Sequence, residues 1–149
     1  MADQREVILA RLAALCAGVS GITAVARNAL DVAANARPAV IIQDGIETLA
    51  DQPATVRHSE LQRMVLSPGI TVFVRGGGTA DAGVLLSRYR SAIVAAVLAD
   101  SALITATGTN GRIQYEGCAV VPPDAEAKEH QLDISLSFTY AFKLDDLAA

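Results

Sequence analysis

The sequence predicts an α+β domain: a mixed, mostly antiparallel sheet with two main helices packed on one face and a C-terminal β-hairpin. Three observations lead there. Apolar residues recur at helical spacing in two stretches, one near the N-terminus and one from Thr79 to Asp100. The apolar runs between them read as strands. The closing stretch "LDISLSFTYAF" alternates without a break: Leu132, Ile134, Leu136, Phe138, Tyr140 and Phe142 point one way, and Asp133, Ser135, Ser137 and Thr139 the other. A length of 149 residues suits a single domain over 1–149.

The elements follow in order. "ADQREVILARLAALCAG" is a helix in which Asp3 caps the first amides and Glu6 completes a capping-box-like pair. Ile8, Leu12 and Leu15 share a face, Arg5 and Arg11 turn elsewhere, and Gly18 stops the helix. "GITAVARN" is a short strand, "LDVAANARP" a connection closed by Pro38, and "AVIIQD" a strand covered on both faces. Residues 43–60 lose all periodicity and are expected to form a long connection, mobile in the free subunit. "LQRMVL", "SPG" and "ITVFV" form either a hairpin or one bent strand. The second helix carries a stripe of Leu86, Tyr89, Ile93 and Val97, and Asn110–Gly111 marks a turn after it. "RIQYEGCAVV" then pairs with the closing strand across "PPDAEAKEHQ", an acidic, exposed loop that is also expected to be mobile.

Composition narrows the functional classes. Hydrophobic residues make up 52% of the chain, enough for a proper core, and aromatics only 4%, with no tryptophan, so the layers should pack closely through small side chains. Charged residues are 19%, fewer than the roughly 25% of an ordinary domain, which suggests surface hidden against other subunits. The net charge of −4 and the lack of a basic cluster argue against duplex or sequence-specific nucleic-acid binding. Cys16 and Cys118 are the two cysteines, without a CxxC pair. No apolar run approaches the roughly 20 residues of a membrane span, and the expectation is a soluble protein made in a reducing cytoplasm.

The chemical motifs fail one by one. "VRGGGTADAG" has the strand–glycine–helix order of a phosphate site, and Gly78 and Gly83 have the Walker spacing. Val84 and Leu85 stand where Lys and Ser/Thr are required, however, and Asp81 stands where a dinucleotide fingerprint needs its third glycine. The glycines read as a turn. His58 and Glu60 form an HxE without the downstream PCxxC of the zinc deaminases, and His130 and the lone Cys118 do not repair it. No GxSxG is present. Asp44, Glu47, Asp51, Asp124, Glu126 and Glu129 are explained by solubility. The expectation is a protein without catalytic residues, metal or cofactor.

Several stretches together carry a resemblance: "REVILARLAALCA", "RPAVIIQDGIE", "LQRMVLSPGITVFVRG", "DSALITATGTNGRIQYEG" and the closing aromatic strand. In this order they resemble the tail terminator and tail completion proteins of long-tailed bacteriophages and phage-like particles, over nearly the full length and by pattern rather than by a chemical motif. The resemblance implies a ring, usually of six subunits, that ends polymerisation of the tail tube and presents a surface to the head-side connector. It implies a place in the virion, host cytoplasm during assembly, no membrane, and a lumen through which the genome passes. Arg88 and Arg90 are the expected inter-subunit contacts, with Asp44, Glu47, Asp124 and Glu126 as acidic loop partners. The alternatives are a neck or head-completion connector and, from another class, a small cytoplasmic ligand-binding domain using the glycine turn.

Overall fold

The computed structural model describes residues 3–30, 36–50, 62–75, 79–122 and 129–142. Helix α1 (Gln4–Ala17) begins as its sequence requires: the Asp3 carboxylate accepts a hydrogen bond from the Arg5 backbone N–H at 3.0 Å. Glu6 does not close the box; its carboxylate goes to Arg27 instead. Ile8, Leu9, Leu12 and Cys16 are buried along one face. The chain then enters β1 (Ala24–Arg27) and β2 (Ala39–Leu49). The strands β3 (Gln62–Arg75), β4 (Arg112–Val121) and β5 (Glu129–Phe142) complete a sheet of order β1-β2-β3-β5-β4. β1 and β2 are parallel and every other pair is antiparallel, the mixed sheet expected.

One expectation is corrected here, and one element is added. Residues 43–49 are not part of a loop: β2 continues through them to Leu49, and 51–60 lie outside the described residues. The second helical stretch is present as expected, as α2 (Thr79–Ala99), and it is followed by a further short helix that the sequence reading lacks, α3 (Ser101–Thr107). Asp100 separates them, extended at ψ 117°, and its carboxylate caps α3 by accepting from the Leu103 N–H at 3.0 Å. Of the two readings of "LQRMVLSPGITVFV", one continuous strand is correct, with Ser67–Pro68–Gly69 in its middle. The expected β4–β5 hairpin is present, while most of its loop, 123–128, lies outside the described residues.

Helices lie against one face of the sheet. α1 packs near β1 and β2, α2 across β3, β5 and β4, and α3 near β5 and β4. The alternation of β3 and β5 supplies the floor of this core: Leu66, Ile70, Val72, Ile134, Leu136 and Phe138 are all at most 1% exposed. The α2 stripe read from the sequence, Leu86, Tyr89, Ile93 and Val97, lies buried over it. By length and composition, α2 could cross a membrane over Ala82–Ala99; in this fold its buried stripe docks on the sheet.

β3 lies at the centre of the sheet, and the register is interrupted at one level across it. Asp44 and Gly45 on β2 stand against Pro68, and Glu116 is an extra residue on β4. Gly45 has φ +76°, and a Cβ there would lie 2.0 Å from the Ser67 carbonyl oxygen, so no other residue fits this bulge unchanged.

Phe138 is fully buried at the centre of the floor. Phe138→Ala should cost about 3–5 kcal/mol in denaturant unfolding. An unaltered unfolding midpoint would contradict this placement.

Candidate functional site

α2 places Arg88 and Arg90 differently, although they are two residues apart. At 100° per residue they lie about 200° apart around the helix. Arg88 is exposed and lines a shallow surface hollow with Gly83, Val84, Ser87 and Ser91. Arg90 is partly buried and turns toward Tyr115 and Cys118 of β4, and its guanidinium donates to the Ser91 hydroxyl at 3.4 Å. Only Arg88 is therefore presented outward. It belongs to an α2 face of small and apolar residues, with Val84 64% and Leu98 43% exposed.

The acidic candidates have partners within the chain. Asp44 sits in the β2 bulge and accepts from Arg27 at 3.0 and 3.2 Å, with Arg5 at 3.5 Å on the same carboxylate. Its backbone N–H also donates to the Asn28 side-chain oxygen at 2.9 Å. The guanidinium of Arg27 meets Glu6 as well, at 2.7 Å, so one cation ties α1, β1 and β2 together. Glu47 falls on the helix-covered side of β2, because the bulge shifts the alternation, and it accepts a hydrogen bond from the Tyr140 hydroxyl. Burial, reinforced by that bond, pushes the Tyr140 phenol well above its ordinary value. Asp124 and Glu126 lie outside the described residues.

A similar clamp holds the helices. Arg11 donates two hydrogen bonds to Asp100, at 2.9 and 2.6 Å, so the carboxylate that caps α3 also anchors α1. The sequence hid both Arg-centred clusters, since their members come from separate elements with no common spacing. The only signals were Arg27 ending an apolar strand and Asp100 interrupting a helical pattern.

The opposite face of the sheet is polar over β5 and the first half of β4. A groove of about 430 Å³ runs over it, lined by Ser67, Gly69, Arg112, Gln114, Ser135 and Ser137 among others. It lies where the bulges interrupt the register. His58, Glu60 and residues 76–78 of the glycine turn lie outside the described residues. Among the described residues no three His, Cys, Asp or Glu side chains come together as a metal site. Cys118 is exposed on β4 and Cys16 is buried in α1, where burial pushes its thiol up to about 12.

No protein-family profile and no curated protein sequence matches the chain. Among solved structures it is similar to a chain of the virion of a native gene transfer agent particle, at 19% identity and a TM-score of 0.48. The match covers 93% of this chain and 94% of that one.

The Arg27 cluster makes stability depend on pH. Glu6 is held below its ordinary value of 4.5, chiefly by its hydrogen bond to Arg27. At Asp44 burial works upward, but the Arg27 and Asn28 hydrogen bonds and the nearby charges outweigh it and hold the group below 3.8. Carboxyl groups depressed in the folded state stabilise it fully above their ordinary values, and that contribution is lost as pH falls through the folded-state values. Melting temperature should therefore drop as pH falls below about 4.5. Arg27→Ala should flatten this drop in thermal melts taken across the acid range; an identical pH dependence in the variant would refute the assignment.

Proposed function

We propose that this chain is a structural subunit of a tailed phage or phage-like particle. It assembles head-to-tail into a closed ring, ends the growth of the tail tube and offers the joining surface to the head-side connector. The observation that carries the reading is the free face of α2. The Ala82–Ala99 window has a mean hydropathy of 1.4, yet only 28% of it is buried. Arg88 is the only charged side chain on its exposed positions. A lone subunit leaves this face in water, whereas contact with further copies or with tail and head components removes it.

The order of elements supports the more specific role, since the sequence resembles tail terminators along nearly its whole length. A heterologous contact that closes on itself gives a ring, with six subunits expected from that resemblance. The tail tube protein and the head-side connector are its further partners, and the genome passes through the lumen without sequence-specific contact. The particle is its place of action and the host cytoplasm its place of assembly.

Electron microscopy of the purified protein, with light scattering, should show closed rings, and a monomer at every concentration would refute the proposal. Deleting the gene should leave tubes that overgrow or fail to join heads while capsids still form; normal tails in the deletion strain would remove the terminator role.

The two arginines should separate. Arg88→Glu should weaken ring formation at an unchanged melting temperature, because an exposed charge contributes about 0–1 kcal/mol to folding. Arg90→Glu should lower the melting temperature of the subunit itself, since it puts a carboxylate in a partly buried position on the side of α2 turned toward β4. Equal effects of the two reversals on both measurements would show that the helix faces are not distinct.

A further inference from the structure

The sheet has two outer edges, β1 and β4, and among the described residues neither is paired on its outer side. β4 is ten residues long. Its first half carries a bulge at Glu116 and the charges of Arg112 and Glu116, devices that discourage pairing. Its second half, 117–121, carries neither charge nor proline, and there Val120 is 63% and Val121 37% exposed. At the other edge, Leu30 follows β1 and is completely exposed.

The strand directions make these edges complementary. β1 is parallel to β2, and each later step from β2 to β3, β5 and β4 is antiparallel, so β4 runs opposite to β1. A second copy in the same orientation, set beside β4, therefore offers its β1 antiparallel, the more stable arrangement. The helix layer continues in the same step. α1 lies near β1, and α2 and α3 lie near β4, all on one face of the sheet. The neighbour's α1, with Val7, Ala10, Ala14 and Ala17 exposed, then joins the layer that contains the free face of α2.

We propose that the β4 edge of one copy pairs antiparallel with the β1 edge of the next, so that sheet and helix layers run continuously from subunit to subunit. This rests on the ring reading, because only a head-to-tail contact uses both edges. Pairing of β4 with another β4 would make a closed dimer and leave the β1 edge and Leu30 uncovered.

Cross-linking tests it directly. Val25 on β1 and Cys118 on β4 both lie on the helix-covered face, opposite Val40 and Ile134 respectively. Cys16 is buried and its thiol is raised to about 12, so it stays silent. In Val25→Cys, a short bismaleimide should join neighbours into a ladder of dimers, trimers and higher species up to the ring size, while the wild-type chain stays unlinked. Rings that form without a ladder would overturn the edge pairing and leave the ring reading standing. Wild-type dimers linked through Cys118 would show that β4 pairs with itself. A protein that is monomeric throughout would remove both readings. Val120→Lys provides a second measure that leaves the core alone: ring dissociation should shift to at least tenfold higher protein concentration at an unchanged melting temperature. An unshifted concentration would also overturn the pairing.

Discussion

A proline in the central strand is the constraint to which the rest of the sheet conforms. β3 has a neighbour on each side, and Pro68 has no N–H to give to either. Toward β5 the paired positions lapse over Ser67 and Pro68 and resume at Gly69–Ser135 in unchanged register. Toward β2 the partner strand supplies an extra residue at Asp44–Gly45. On β4 the extra residue Glu116 precedes Gly117, which stands opposite the same Ser135. Bulges bend strands and increase their twist. All of them fall at one level, so the irregularities cross the sheet along a single line, and the groove on its outer face lies on that line.

These interruptions also explain which parts of the fold are legible in the sequence. The helix stripes and the β5 alternation were plain, because each side chain met the same layer throughout its element. β2 was legible only as far as its bulge. Beyond Gln43 the alternation shifts by one, and Glu47 enters the helix-covered side, where an apolar residue would be expected; Tyr140 satisfies it. No periodicity scan sees a strand through such a break. α3 was missed for a different reason: seven residues are too few to establish a period, and Asp100 as a cap looks like the end of one long helix.

The candidate site was legible to a smaller extent. Arg88 and Arg90 were recognisable as unusual charges on an apolar helix, but adjacency in sequence concealed their opposite directions. Asp44 and Glu47 were read as free loop acids because the strand containing them was not seen. Their partners, Arg27 and Tyr140, stand 17 and 93 residues away. Charge clusters of that kind become visible only when elements are placed side by side. What the sequence did convey was the low charge content of the whole chain, a property of composition that no folding detail alters.

The position of β5 has a consequence for how the chain acquires its structure. Among the described residues β1, β2 and β3 form one side of the sheet and β4 the other, with β5 bridging them. Its pairing with β4 is local, but its pairing with β3 joins residues such as Leu66 and Phe138, distant in sequence. Contacts of that span form slowly, since loop-closure entropy is lost before they are gained. During synthesis the β3 edge that receives β5 stays open until β5 emerges. The β4–β5 hairpin, a local unit, completes the sheet by adding to that edge of β3. The two outward edges, β1 and β4, therefore reach their final relation to each other only once β5 is in place.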